Sequence, residues 1–534
     1  MKYTEKHIFE IGLAGARDGG SAADMGFKAY NLARMAHLGL KVPEAFVLGT
    51  PICRDFLKQP AKAREALRDL LTEMLRRLEL AAKQSFGGNR KPLLVSVRSG
   101  APISMPGMMD TLLNIGLCDA TVHGLIRATG NPRLVWDSYR RLVQQFAEVV
   151  YGADPAPFRA GLDAAISRAG VTQARELDFK SLNQLTLEYL SLFQALAKQP
   201  FPQNPLEQLD AAVAAVFESW RSEHAIEYRR LNDLPDTLGT AVTVQRMVFG
   251  NAGCASGSGV AFTRDPATGE NRLYIDFLFN SQGEDVVSGR HAAGDAERLA
   301  AVLPAVQTQL LAVAKALENA YQDAQEFEFT LQDGELFVLQ TRTGKRTPWA
   351  ALRIAVDQVH EGLIDVATGL TRLEGVDIDK LERRHLADSS AVMALARATP
   401  AGLGTAGGAI ALDVDTARRY ASEGKATLLV REDIATADIA GLAVCDGLLT
   451  TRGSRTAHAA VVARQLGKPC LVACEQLKIN LTTRRIALGD KELAEGDTLW
   501  MDAGSGLLFA HEPQVIVERP NAELATVAAW RTGV

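Results

Sequence analysis

The chain has 534 residues, with 58 Lys and Arg against 63 Asp and Glu, a formal net charge of −5, 47% hydrophobic and 23% charged residues. Those values are ordinary for a globular protein and allow about three or four domains, because a chain of this length divides into several cores. Mild acidity argues against nucleic acid as a partner, since a phosphate backbone rewards an excess of Lys and Arg, and no apolar run approaches the ~18 residues of a membrane span. The start, Met1-Lys2-Tyr3-Thr4-Glu5-Lys6-His7, has no apolar secretory core, so a cytoplasmic protein is expected. Cys53, Cys118, Cys254, Cys445, Cys470 and Cys474 form no CxxC pair and are too sparse for a disulfide scaffold; all six are expected to be reduced core thiols.

In chain order, residues 1–90 read as loops alternating with amphipathic helices. Leu67, Leu70, Leu71, Met74, Leu75 and Leu78 keep the spacing of one buried helical stripe. An apolar strand follows within 91–100 and runs into a loop of Gly, Ser, Met and Pro that ends at Asp110. Residues 120–235 read as mostly helical, broken at Pro155, Pro157 and between Pro200 and Pro205. The run 241–249 is rich in β-formers, 250–259 in Gly, Ala and Ser, and 260–263 is strand again. Two alternating runs at 327–331 and 336–340 flank Asp333-Gly334, which predicts a hairpin. Residues 346–392 read as a helical connector, and from about 400 to 512 short β runs at 427–431, 447–451, 469–473 and 498–502 predict a small α/β domain. The last stretch, 515–534, reads as a helix with nothing to pack on. Gly402-Leu403-Gly404-Thr405-Ala406-Gly407 fits GxGxxG, but a helical reading of 394–398 before it and a strand-like 409–412 after it are the wrong flanks for a dinucleotide fold. No GxxxxGK[ST] occurs around Gly344-Lys345.

Three segments suggest chemistry. Arg98 leaves its strand directly into Ser99-Gly100-Ala101-Pro102-Ile103-Ser104-Met105-Pro106-Gly107-Met108-Met109-Asp110, a loop whose backbone N–H groups could follow a polyphosphate while the guanidinium forks onto its oxygens. Three exposed Met would be unusual in an ordinary surface loop. Glu326, Glu328, Gln340 and Arg342 alternate with apolar neighbours on the arms of the hairpin. A carboxylate beside a neutral oxygen suits Mg²⁺ and Arg342 suits phosphate, although a solvated polar face would look the same. The third segment, 447–467, reads as strand, Gly and Arg loop, then helix, with Thr456 as N-cap and Gly467 just past the C-terminus. His458 then falls in the first helical turn, where a phosphoryl group on its imidazole would meet the positive end of the dipole and free N–H donors. Arg452, Arg455 and Thr456 could hold that group's oxygens. Among nine His, this one alone sits between a Gly and Arg loop and a helix of small residues.

Those segments, with Trp136-Asp137-Ser138-Tyr139-Arg140-Arg141, Tyr228-Arg229-Arg230-Leu231, Met247-Val248-Phe249-Gly250-Asn251, Gly259-Val260-Ala261-Phe262-Thr263-Arg264 and Gln282-Gly283-Glu284-Asp285-Val286-Val287, closely resemble the pyruvate, phosphate dikinase family over almost the whole chain. The Arg-Ser loop is less similar to the related phosphoenolpyruvate synthases. The resemblance implies an α/β and α+β multidomain chain: an ATP-grasp nucleotide-binding domain at 1–345, a helical connector at 346–392, a small swivelling phosphohistidine α/β domain at 393–515 and a C-terminal tail at 516–534. It implies that Lys28 and Arg98 contact ATP phosphates, that Gln245 and Met247 lie where a hinge meets adenine, that Glu328 and Gln340 hold Mg²⁺ with ATP, that Arg342 touches the triphosphate, and that His458 carries the phosphoryl group. Ser258 and Glu326 fall at further nucleotide-contact positions, with Ser for the usual Thr and Glu for the usual Asp. Met25-Gly26-Phe27 stands where the family usually has Gly-Gly-Lys, Gly453-Ser454 stands for Gly-Gly, and Ala457 for Ser.

The implied reaction is attack of the His458 imidazole on the β-phosphate of ATP, loss of AMP, and removal of the terminal phosphoryl by inorganic phosphate as pyrophosphate. The family's (β/α)₈ barrel for phosphoenolpyruvate and pyruvate would need ~250 residues beyond those present. A separate barrel protein is therefore one expected partner. A self-contained phosphotransferase with another small-molecule or protein acceptor, a non-catalytic ATP-sensing module, and a homodimer also remain open.

Overall fold

The computed structural model describes residues 3, 7–13, 20–103, 105, 111–287, 296–387, 394–434, 438–455 and 458–533, with the side chains at 284, 287, 439, 440, 458 and 459 outside that description. The chain divides into two compact units, Met1–Gly253 with Phe337–Gln340, and Cys254–Leu336 with Thr341–Val534.

The first unit is built on a five-stranded antiparallel sheet in the order Ile8–Ile11, Ala45–Leu48, Ala241–Arg246, Val95–Gly100, Thr111–Ile115. The first two strands lie in the region expected to hold only loops and helices. Ala45, Phe46, Val47 and Leu48 are all fully buried, so both faces of that strand are covered and no alternation marks it in the sequence. The strand within 241–249 ends at Arg246, sooner than its composition suggests. The predicted stripe is the buried face of helix Pro60–Ala82, with Leu67, Leu71, Met74, Leu75 and Leu78 inside and Leu70 at the edge. Between 119 and 231 the chain is helical, as expected. The helices are interrupted between Tyr151 and Ala156 and between Ala197 and Pro205, where the prolines predict breaks, and Pro132 and Pro205 open helices whose first turns are capped by Asn131 and Asn204, each accepting a backbone N–H at 3.0 Å.

The second unit holds the strands Gln325–Gln332, Gly257–Phe262 and Tyr274–Phe279 of a four-stranded antiparallel sheet; its remaining strand, Glu335–Thr343, pairs with Gln325–Gln332 and has its middle residues, Phe337–Gln340, assigned to the first unit. The predicted hairpin turns at Asp333 (φ 52°) and Gly334 (φ 81°), the two positive angles that a two-residue turn with the right twist requires. Strand Gly257–Phe262 begins inside the Gly and Ser run. A Cβ on Gly257 would meet the Phe277 ring at 2.1 Å and one on Gly259 the Phe329 ring at 2.5 Å. Those two rings stack at 5.8 Å across the strand, and only glycine leaves room for them.

Helices Pro348–His360 and Val366–Arg372 form the connector. The helix expected over 515–534 forms only at Asn521–Thr532, because Val515–Glu518 pairs as a strand, and it is not left unsupported: Leu524, Val527 and Trp530 pack with Leu352, Ala355, Val356, Leu373 and Ile378 in one small core. The connector ends in a strand, Arg383–Leu386, paired antiparallel with Val515–Glu518, so the chain enters and leaves the expected phosphohistidine segment through one two-stranded ribbon. That segment holds an eight-stranded sheet. Its inner strands Thr405–Ala411, Thr427–Arg431, Gly447–Thr450 and Cys470–Val472 are parallel and neighbours in sequence order, with helices Val414–Ser422, Ile439–Val444 and His458–Gln465 in the crossovers. Ala396–Arg397 is a strand, not the helix expected before the GxGxxG-like run. The run itself passes into strand Thr405–Ala411, so it opens no helix. A three-stranded sheet of short, charge-rich strands at 477–480, 485–488 and 491–494 was not legible in the sequence. Five cysteines are buried as expected, but Cys254 is exposed; none is bonded to another. Among the described residues no single helix is long and apolar enough to cross a membrane.

Candidate functional site

In the first unit, Gly26 precedes helix Phe27–His37, and Lys28 stands exposed in that helix's first turn. Gly26 has φ 77°, and a Cβ there would lie 2.0 Å from the Gly100 carbonyl oxygen, so only glycine allows this approach. The Phe27 N–H donates to the Ala101 carbonyl at 2.8 Å. These contacts place the start of the Lys28 helix against the end of the Arg98 strand, and the two expected phosphate-binding cations share one corner of the unit. Arg98 is half-buried, and its Nη1 donates to Gln245 Oε1 at 3.4 Å. Gln245 is buried and also donates to the Pro43 carbonyl at 3.2 Å, so its side chain aims Arg98 as well as filling the position expected near adenine. The Met247 N–H is engaged by the Leu94 carbonyl at 2.9 Å. Gln340 lies half-buried on strand Glu335–Thr343. Of the Met expected to be exposed, Met105 is buried; Ser104 and residues 106–110 lie outside the described residues.

In the second unit, Arg342 pairs with Glu326 at 2.5 Å, and Glu328 is near enough to act on the same guanidinium. Burial works against the Arg342 cation, but Glu326 and then Glu328 outweigh it and raise its pKa. Glu326 is 3% exposed and its second oxygen, Oε2, has no hydrogen-bond partner. An orphaned carboxylate oxygen beside Glu328 on the same strand fits a hard cation such as Mg²⁺. Among the described residues no group of three or more His, Cys, Asp or Glu is placed to hold a metal, so a cation here would complete its shell with neutral oxygens and substrate phosphates. Ser258 is buried with its hydroxyl on that of Thr330 at 3.1 Å.

The loop after strand Gly447–Thr450 leaves the carboxyl end of the parallel strands, where sheets of this kind bind ligands. Thr451 and Arg452 donate their N–H groups to the carbonyls of Arg431 and Glu432 at 3.1 and 2.9 Å, and the Thr450 hydroxyl bonds to the Arg452 carbonyl. His458 is the first residue of helix His458–Gln465, as expected. The helix closes with Gly467 at φ 64°, its N–H on the Arg464 carbonyl and that of Lys468 on the Ala463 carbonyl, a Schellman ending. Thr456 lies outside the described residues. Arg455 does not point freely into solvent: its guanidinium lies 5.2 Å from the centre of the Tyr274 ring. Burial opposes its charge, but Tyr274 and Asp276 raise its pKa. Asp276 is 1% exposed with neither oxygen hydrogen-bonded, and burial pushes its pKa up to about 6 against the pull of Arg455 and Arg464. Asp276, Tyr274 and Arg464 stand outside the residues the sequence singles out; an acid in the otherwise apolar run Tyr274–Phe279 is the one local signal for them.

Two regions of the chain define its class: residues 62–296 match the family described as the AMP/ATP-binding domain of pyruvate phosphate dikinase, and 424–506 match the mobile domain of PEP-utilising enzymes. Along its length it is 39% identical over 509 residues to the pyruvate, phosphate dikinase of Clostridium symbiosum (95% of this chain, 58% of that protein). It is 38% identical over 540 residues to the enzyme of Rhizobium meliloti (98% and 60%), and 39% over 520 to that of Entamoeba histolytica (96% and 58%). Both matched regions, and the alignment along almost the whole chain, make it similar to the pyruvate, phosphate dikinases. It spans 58% to 60% of the length of these three relatives.

Proposed function

We propose that this chain carries out the ATP half of a dikinase reaction: a phosphoryl group passes from ATP to the imidazole of His458 and from there to a second acceptor. The observation that carries this reading is the combination, in one chain, of the Arg98 and Lys28 corner, the Glu326, Glu328 and Arg342 cluster, and a strand, loop and helix that starts at His458. Phosphoryl transfer asks a protein mainly for positioning and neutralisation of charge. Residues 1–345 are read as an ATP-grasp domain. Lys28, Arg98 and Arg342 neutralise the triphosphate, Gln245 and Met247 border the base, and Ser258 lies along the nucleotide. Mg²⁺ held by Glu328 with Gln340, and by the open oxygen of Glu326, supplies further charge to the phosphates when it is bound. The neutral His458 imidazole attacks the β-phosphorus, AMP departs with the electron pair of the broken bond, and inorganic phosphate accepts the terminal phosphoryl to leave as pyrophosphate. Arg455 and Thr456 are assigned to the oxygens of the phosphoryl group on His458.

Residues 393–515 are read as the swivelling body. The connector helices are packed with the C-terminal helix, and buried Arg264 ties Glu318 to Glu361 of the connector at 2.7 and 2.5 Å. The paired strands Arg383–Leu386 and Val515–Glu518 are then the natural hinge. The second acceptor is proposed to be pyruvate on a phosphoenolpyruvate-binding barrel, which a separate protein could present to His458. The test is exchange of labelled AMP into ATP with Mg²⁺, phosphate and pyrophosphate present. Exchange that depends on His458 supports the reading; ATP binding without exchange refutes it and leaves a nucleotide sensor.

A further inference from the structure

Arg464 is among the most completely buried large side chains of the protein, 1% exposed, in the last turn of helix His458–Gln465. A surface helix of this kind has no need of a guanidinium inside. Its Nη1 donates to the Arg455 carbonyl at 2.7 Å and to the Ala401 carbonyl at 3.4 Å, while Nε and Nη2 have no partner. The group lies 5.6 Å from the centre of the Phe262 ring, and the carboxylate that faces it, Asp276, is not bonded to it. Burying a cation with two unmet donors is costly, so a purely structural position would be served better by Leu or Met. What the guanidinium does achieve is specific: from inside the helix it grips the carbonyl three residues before His458.

We propose that Arg464 is a positioning residue for phosphoryl transfer. It ties the loop ahead of His458 to the last turn of the same helix, and so sets where the imidazole stands when it meets ATP. The Arg455 carbonyl and the last turn of the helix are thereby held together. The strength comes from a charge-assisted bond in a dry site, and the functional sensitivity from the steep dependence of transfer on geometry, where a misplacement of about 1 Å can cost about 10²-fold. This inference rests on His458 being the phosphoryl carrier.

The full chain is tested with two donors: ATP, and phosphoramidate, a small donor that passes its phosphoryl group to imidazole with release of ammonia and needs no alignment with a nucleotide site. Arg464→Met is expected to slow labelling of His458 from ATP by about 10²-fold, with ATP affinity and labelling from phosphoramidate within about twofold of the unaltered chain. Arg464→Lys, which can reach one carbonyl, should recover part of the loss. Labelling from ATP within twofold in Arg464→Met overturns the proposal. So does equal loss with both donors, which would mean that Arg464 merely holds the fold. If the unaltered chain is labelled by phosphoramidate and never by ATP, the functional reading fails first and takes this inference with it.

Discussion

Asp276→Asn separates a buried charge from a buried ion pair. Asp276 is enclosed on strand Tyr274–Phe279, and its pKa stands at about 6 against an ordinary 3.8 because burial outweighs Arg455 and Arg464. A rise of about 2 units at 1.36 kcal/mol per unit is on the order of 3 kcal/mol. The sign follows from proton binding. Between pH 4 and 6 the folded chain keeps a proton that the unfolded chain has released, so stability is greatest at low pH and falls as pH rises through 6. Above pH 7 the full cost is present. Asn has the same shape and no charge, so Asp276→Asn should be more stable than the unaltered chain at pH 7.5 by up to about 3 kcal/mol, with the difference fading toward pH 4. Amide exchange in the strands 257–262 and 274–279 reads this locally, and strand Ala241–Arg246 of the other unit serves as control. A variant less stable at every pH would refute the reasoning and show that Asp276 is ionised and net favourable with its two arginines.

Arg264→Met should lower stability by about 3 kcal/mol, the low end for a broken buried pair, because Glu318 is left without its cation while Glu361 is already 41% exposed; thermal melting measures it, and removing the exposed Arg76–Glu73 pair should leave the melt unchanged. Glu328→Gln and Arg98→Ala should each slow labelling of His458 by about 10²–10³-fold in single-turnover measurements, since each removes charge aimed at the triphosphate. Gly26→Ala must move the backbone away from the Gly100 carbonyl and adopt a positive φ, which costs on the order of 1–3 kcal/mol from strain alone; a lower melting temperature together with weaker ATP binding in calorimetry is expected.

What the sequence disclosed depended on how local the signal was. The Asp333-Gly334 turn and the stripe of helix Pro60–Ala82 are set by neighbours within a few residues, and both stand where they were expected. Strand Ala45–Leu48 is short and covered on both faces, so periodicity could not mark it. The start of strand Gly257–Phe262 was hidden because its glycines exist to admit the rings of Phe277 and Phe329, a contact visible only in three dimensions. At the site, alternation correctly grouped Glu326, Glu328 and Arg342, but not the direct Arg342–Glu326 pair. Arg455 was foreseen as a loop cation. Its neighbours Tyr274 and Asp276 come from a strand some 180 residues earlier in the chain, a distance over which no spacing rule operates.

The central claim is tested most directly by following the β-phosphorus of ATP. The chain is incubated with ATP labelled at the β position, Mg²⁺ and phosphate, then digested and searched for acid-labile, base-stable label. The label should be found on the peptide that contains His458, should be absent when the γ position is labelled instead, and should vanish in His458→Asn while ATP affinity stays within a few-fold. Label from the γ position, or β label that persists in His458→Asn, would contradict the account.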